Sequence, residues 1–332
     1  MPGAVLVMGA GSVGCYIGGQ LLRSGADVHF VARPRVLHAL REHGLTGTDL
    51  EGGRAHTPAA ALQVHGSVPA GLAPALVLLS VKSGATAEAA AELAAVLPAG
   101  TPVLSLQNGV TNAEVGAAAA PALAWLPGMV PFNIAEIGPG HFHRGTTGPL
   151  AAQAAPALQP WVPVFQAAGL RLKLHDDLRP VQWGKLLLNL NNPVNALSGL
   201  PLRAELLDRD CRVVFAALQK EALAALRAAG IAPAQMTALR PERLPLVLQL
   251  PNWLFTRVAA RMLRIDDKAR SSMADDLALG RPTEVDAICG AVVRLAQAHG
   301  LQAPRCAQMV DLLSLPKPVP LGGRGLRRAL GL

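Results

Sequence analysis

The chain has 332 residues, 51% of them hydrophobic, and a formal net charge of +8. That length allows two domains and a sizeable core. Aromatic residues at 3% exclude a base-stacking platform for single-stranded nucleic acid, and Lys and Arg are scattered rather than blocked, so the positive charge reads as attraction for an anionic cofactor and substrate.

In chain order, an apolar run (Ala4 to Met8) leads directly into Gly9-Ala10-Gly11-Ser12-Val13-Gly14. A helical segment follows, then a second apolar run (Val28 to Ala32) that ends on Arg33. This is strand, glycine-rich turn, helix and strand, with the glycines at G-x-G-x-x-G spacing. Each glycine has its own task. Gly9 lets the chain turn off the strand, Gly11 leaves room for a pyrophosphate, and Gly14 lets helix and sheet approach closely. The helix start offers N–H groups and a partial positive charge to phosphates. Sites for NAD place Asp or Glu at the end of the second strand; Arg33, with Arg35 just beyond, pairs instead with a 2′-phosphate and favours NADP(H).

The next helix is expected over Val36 to His43, followed by a polar segment rich in Gly and Thr. Leu76 to Val81 reads as a strand ending at Lys82, then an alanine helix over Ala85 to Leu97. Pro102 to Leu106 is another strand, closed by Gln107-Asn108-Gly109. Segments near Trp125 to Asn133, Gly140 to Gly148 and Leu170 to Leu174 read as closing strands. Such alternation predicts a parallel sheet covered by helices on both faces. Dinucleotides bind at the carboxyl ends of such strands, where Lys82 and Asn108 fall. The plainer alternatives are an exposed lysine and a tight turn.

Past about residue 176 the pattern becomes helical: Val181 to Leu190, Leu206 to Ala229, Leu244 to Leu263, Lys268 to Leu277, Glu284 to His299 and Arg305 to Leu313. The expectation is a Rossmann-type doubly wound α/β domain over 1–176 and an all-α domain over 177–332. The tail after Leu315, with its Pro and Gly, reads as loosely ordered.

Lys185 stands in Trp183-Gly184-Lys185-Leu186-Leu187-Leu188-Asn189, ahead of three leucines. Desolvation there disfavours the ammonium and suits a general acid working near neutral pH. Asn189 shares its helical face, and Asn192 and Asn195 extend the polar stripe. A helix end rich in caps, with Pro193, is the competing reading. Farther on, Glu284 and Asp286 occupy the first turn of an amphipathic helix, where the helix dipole alone stabilises carboxylates.

Four cysteines (Cys15, Cys211, Cys289 and Cys306) form no C-x-x-C pair and match no zinc spacing, so no metal is expected and the thiols read as buried in a reducing compartment. The first strand begins within a few residues of Met1, which leaves no signal peptide, and no stretch of about 18 apolar residues is uninterrupted. A cytoplasmic protein is expected, with neither nucleic acid nor membrane as partner and with a homodimer left open.

Taken together, GAGSVG with Arg33, SVKS with Lys82, LQNGV with Asn108, WGKLLLN with Lys185 and Asn189, and SSMADDLALGRPTEVD with Ser272 and Glu284 resemble the ketopantoate reductase (2-dehydropantoate 2-reductase) family over nearly the whole chain. The resemblance implies NADPH-dependent reduction of 2-dehydropantoate to pantoate, a step towards pantothenate and coenzyme A. It implies that Lys185 protonates the ketone oxygen and that Glu284 supports it and binds the substrate hydroxyl. Ser272 would bind the substrate carboxylate, and Asn108 would lie beside the nicotinamide. The family's second asparagine, followed by proline, stands one residue farther from the lysine than Asn192-Pro193 does here. Either Asn192 or Asn195 is therefore a candidate for the substrate. The alternatives are a reductase of a different 2-oxo or 3-hydroxy acid, and a non-catalytic NADP(H)-binding sensor.

Overall fold

The computed structural model describes residues 2–260, 262–263 and 266–332. Arg261, within the helix expected over 244–263, lies outside the described residues. By its internal contacts the chain divides into two compact units, Met1–Leu178 and Arg179–Leu332.

The first unit opens with β1 (Val5–Met8), α1 (Ser12–Arg23), β2 (Val28–Val31) and α2 (Pro34–His43). Next come β3 (Leu45–Asp49), β4 (Arg54–Thr57), β5 (Gln63–His65), β6 (Leu76–Leu79), α3 (Thr86–Val96), β7 (Pro102–Ser105) and α4 (Asn112–Ala119). It closes with β8 (Ala124–Met129), β9 (Ile134–Gly138), β10 (His141–Arg144), β11 (Leu150–Gln153), α5 (Val162–Ala167) and β12 (Leu172–His175). Eight strands form one sheet in the order β12-β11-β8-β7-β6-β1-β2-β5. All neighbours are parallel except β11 and β8. Side chains alternate across it. Val5, Val7, Phe30 and Leu78 enter the core under α1, and Leu6, Met8, Val77 and Leu79 enter the core under α3. Burial on both faces is why these strands read as unbroken apolar runs.

Two segments differ from the sequence expectation. The polar Gly/Thr stretch, with no element expected in it, forms β3 and β4, and the segment near 140–148 does not close the main sheet. It supplies β10, which joins a second sheet of order β4-β3-β10-β9. That sheet packs on α1: a Cβ on Gly19 would stand 2.6 Å from the Leu45 side chain, and Phe142 is fully buried in the same core.

The second unit is helical, without a strand among its described residues. It runs α6 (Arg179–Asn189), α7 (Asn191–Ser198), α8 (Leu202–Leu207), α9 (Arg209–Ala228), α10 (Leu244–Leu248), α11 (Asn252–Val258) and α12 (Ser272–Ala278). A π turn (Asp286–Gly290) then leads into α13 (Ala291–Ala298), α14 (Pro304–Leu313) and α15 (Gly322–Ala329). The helix expected over 206–229 is cut at Asp208, whose carboxylate accepts from the Asp210 and Cys211 N–H groups and caps α9. Pro251 breaks the helix expected over 244–263 into α10 and α11. The broken end is held by Arg212, which is fully buried on α9. Its guanidinium donates to the carbonyls of Leu248 (2.9 Å), Leu206 (2.8 Å) and Leu250 (3.0 Å) and to Asn252 Oδ1 (2.7 Å), and lies 4.1 Å from the centre of the Phe255 ring.

The tail corrects the expectation of a loose end. It folds as α15, which buries Leu326 and Leu330 and pairs Arg327 with Asp210 on α9 at 2.7 Å. Its entry is fixed by the Leu321 N–H on the Leu197 carbonyl at 2.7 Å. Proline and glycine in 316–323 shape the approach to a helix rather than prevent one.

Candidate functional site

In the first unit the candidate residues gather at the carboxyl ends of β1, β2, β6 and β7. The strand order reverses at β1, and a doubly wound sheet opens a crevice at that point. Gly9 has φ +92°, and a Cβ there would stand 2.6 Å from the Val81 nitrogen. A Cβ on Gly14 would stand 2.5 Å from Ser80 Oγ and 2.8 Å from the Gly9 carbonyl. At Gly11, by contrast, nothing lies within 4 Å of the place a Cβ would take. Ala10 is buried and donates its N–H to the Val31 carbonyl at 2.8 Å, which ties the turn to β2. Ser12 and Val13 open α1, whose first turn carries no acidic residue and no side-chain cap. The first N–H groups of a helix lack intrahelical acceptors, so this end, with open space at Gly11, fits a pyrophosphate. Arg33 is exposed at the N-cap of α2, two residues past the end of β2.

Lys82 is exposed three residues past the end of β6 and caps a short 3-10 turn. Asn108 follows β7 with Gly109 at φ +95°. The Asn108 carbonyl accepts from Ser83 Oγ (3.0 Å) and Asn112 Nδ2 (2.6 Å). Gln107 Nε2 donates to the Val81 carbonyl (3.0 Å) and to Thr86 Oγ1 (2.7 Å), while Ser105 Oγ donates to Gln107 Oε1 (2.9 Å). This mostly buried network locks the ends of β6 and β7 together. Sequence reasoning passed over Ser83, Thr86, Gln107 and Asn112; the signal was polar residues clustered just past two apolar strands.

In the second unit Lys185 lies mid-way along α6, half-buried, with Leu186 and Leu187 buried beside it. Burial pushes its ammonium down to about 8. The helix sits tight against the 231–240 segment: a Cβ on Gly184 would strike the Ala234 carbonyl, and the Ala234 N–H donates to the Pro180 carbonyl at 2.7 Å. Asn189 ends α6 and is buried.

The asparagine-rich stretch separates into two tasks. Asn191 donates to the buried Glu205 carboxylate at 2.9 Å. Asn195 is 0% exposed, donates to the Leu200 carbonyl at 2.9 Å, and accepts the Ser271 N–H at 2.9 Å. Of the two substrate candidates, it is thus the one whose carboxamide is engaged in packing the helical unit. The helical stripe that includes Asn195 faces inward because α12 packs on it. Asn192 is half-buried, and its carbonyl accepts Ser271 Oγ at 3.2 Å. Ser271 also caps α12 through the Ala274 N–H at 3.1 Å. The structure thus brings Asn192 beside the Ser271-Ser272 pair and leaves Ser272 exposed at the start of α12. Glu284 is buried just ahead of the π turn, and its carbonyl accepts the Ile288 N–H at 3.2 Å. Among the described residues no group of three or more His, Cys, Asp or Glu could hold a metal ion, and no helix is long and apolar enough to cross a membrane.

A parallel sheet with a glycine fingerprint at its switch point, followed by a helical unit with a desolvated lysine, defines a two-unit Rossmann-type chain. Residues 5–156 match the ketopantoate reductase PanE/ApbA family and residues 177–317 match the C-terminal part of that family. The chain belongs to the ketopantoate reductase PanE/ApbA family and is an oxidoreductase of that family. It is 29% identical to a 2-dehydropantoate 2-reductase of Halobacterium salinarum, over 94% of this chain and 98% of that protein. It is 26% identical to one of Pyrococcus horikoshii, over 90% and 93%. Among solved structures, a PanE/ApbA family ketopantoate reductase from Ralstonia eutropha superposes with a TM-score of 0.79 at 28% identity, covering 95% of this chain and 98% of the other. D-mandelate dehydrogenase, solved with NADH and anilino(oxo)acetate, shares the fold at a TM-score of 0.76 and 18% identity, over 99% and 100%.

Proposed function

We propose that the protein reduces a 2-oxoacid with NADPH, 2-dehydropantoate being the substrate, and that Lys185 is the general acid. The observation that carries this reading is the desolvated Lys185 on α6, its ammonium pushed down to about 8, in a chain whose curated relatives are named 2-dehydropantoate 2-reductases. A nicotinamide, when bound, supplies the hydride. The α1 start and Gly11 hold the pyrophosphate, Arg33 takes the 2′-phosphate, and Lys82 and Asn108 continue the cofactor site along the strand ends. Lys185 Nζ gives a proton to the carbonyl oxygen as that oxygen gains charge, so the ketone becomes an alcohol and the ammonium becomes an amine that solvent reprotonates. Ser272 and Asn192 hold the substrate carboxylate, Asn189 lines the same helix one turn past the lysine, and Glu284 holds the substrate hydroxyl. The four free, buried thiols suit a reducing cytoplasm.

Initial rates of NADPH oxidation with 2-dehydropantoate and a panel of 2-oxoacids test this directly. Absence of oxidation with every acid would sink the enzyme reading. Arg33→Ala should lower kcat/KM for NADPH by about 10–100-fold, the worth of one charge-assisted hydrogen bond, and leave NADH little affected. Equal use of NADH by the unaltered chain would undo the role of Arg33.

The acid must carry its proton to act, so kcat/KM should be level below about pH 8 and fall above it. A lysine in water would hold the plateau to about pH 10. A pH–rate profile level to that point would remove desolvation from the account of Lys185. A bulkier 2-oxoacid is the second reading, favoured by the shifted Asn192-Pro193 pair together with the loss of Asn195 to packing.

A further inference from the structure

The Arg35–Glu136 ion pair joins the first turn of α2 to β9 of the second sheet. Arg35 lies in the first turn of α2, two residues past Arg33. Its Nη1 and Nη2 donate to Glu136 Oε1 and Oε2, both at 2.6 Å, in a two-pronged pair. Glu136 comes from β9, where Ile134, Glu136 and Gly138 are half-buried and Ala135 and Ile137 are exposed. By the period of a strand, Glu136 thus occupies the inner face of the second sheet, beside Ile134, which packs into the α1 core. A carboxylate at such a position is costly to place without a reason. Glu136 is the less exposed partner, with 21% of its side chain accessible against 55% for Arg35, so its charge is the less screened by water.

We propose that Glu136 sets how strongly the chain selects a 2′-phosphorylated dinucleotide: its carboxylate neutralises Arg35 and so leaves the 2′-phosphate to Arg33 past the end of β2. This rests on the reading that the fingerprint binds a dinucleotide. A 2′-phosphate arriving beside Arg33 meets one cation and one ion pair rather than two cations. Glu136→Gln keeps an acceptor for Arg35 and removes only the charge, so the guanidinium keeps its place and its full attraction for phosphate.

The test is calorimetric titration of the full chain with adenosine 2′,5′-bisphosphate and with ADP, which lacks the 2′-phosphate. Glu136→Gln should tighten the bisphosphate by about three- to tenfold, the effect of one unit charge at a half-exposed site, and move ADP by less than about twofold. Arg35→Ala should weaken the bisphosphate relative to ADP. No change with Glu136→Gln, an equal change for both ligands, or weaker bisphosphate binding would overturn the proposal; the last would mean that the carboxylate aims Arg35 at the phosphate. If the unaltered chain prefers neither ligand and Glu136→Gln creates a preference, the role of Glu136 stands and the NADPH reading falls. If neither protein shows a preference, both fall. If the unaltered chain prefers the bisphosphate through Arg33 and Glu136→Gln changes nothing, only the role of Glu136 falls.

Discussion

Lys185→Ala should lower kcat by about 10²–10⁴, the range that a positioned general acid contributes. The loss should fall on kcat rather than on folding. A half-buried ammonium whose ionisation is already opposed by desolvation adds little to stability, so the melting temperature should hold or rise slightly. Lys185→Arg separates proton donation from charge. A guanidinium keeps the cation but does not release its proton below about pH 12. It should therefore recover substrate KM and leave kcat near the alanine level. Loss below tenfold in the alanine variant would show that Lys185 is not the acid. Recovery of kcat by arginine would show that it acts only as a charge.

Arg212→Met should destabilise the helical unit by about 3–5 kcal/mol, since each acceptor left without its donor costs about 1–3 kcal/mol and three carbonyls and Asn252 Oδ1 lose theirs. Methionine fills most of the volume, so the loss is of hydrogen bonds and not of packing. The carbonyls of Leu206, Leu248 and Leu250 would stay buried without donors, at the C-terminal ends of α8 and α10 where no intrahelical N–H can reach them. For a unit of this size, about 3 kcal/mol corresponds to a fall of roughly 10 °C in the apparent unfolding midpoint, readable by calorimetry or circular dichroism. Arg212→Lys should lie part-way, since one ammonium cannot span the same carbonyls. A fall of less than about 2 °C for the methionine variant would mean that water replaces the guanidinium at the helix ends.

What was legible in the sequence followed the range of the interactions. The β1-α1-β2 unit is local, its apolar runs are buried on both faces, and its glycines have short-range steric tasks, so it could be read residue by residue. The second sheet could not. β3 pairs with β10, from the far side of most of the Rossmann unit, and its Gly and Thr residues carry the polar composition of a loop. The tail misled for a related reason: its prolines and glycines are local signals, whereas the burial of Leu326 against α9 is not. Among the site residues, Lys185 was marked by its run of leucines. The division between Asn192 and Asn195 was hidden, because it depends on α12 packing against one face of α7. Arg212 gave no signal at all, since its task is set by a helix break some 40 residues farther along, as the Asn252 hydrogen bond shows.

The clasp from Asn195 to Ser271 spans 76 residues of sequence with a single carboxamide. Asn192 lies one turn before Asn195 on α7, and Ser272 lies next to Ser271 on α12, so the two surface positions hang from one fixed joint. Their spacing is then set by hydrogen-bond lengths, which vary by a few tenths of an ångström, and not by the wandering of the intervening chain. Insertions or deletions between residues 200 and 265 could change the surroundings of this pair without altering its gauge. If Asn192 and Ser272 hold the substrate carboxylate as proposed, changes of length in that stretch would alter the room at the substrate's far end and leave the grip on its near end.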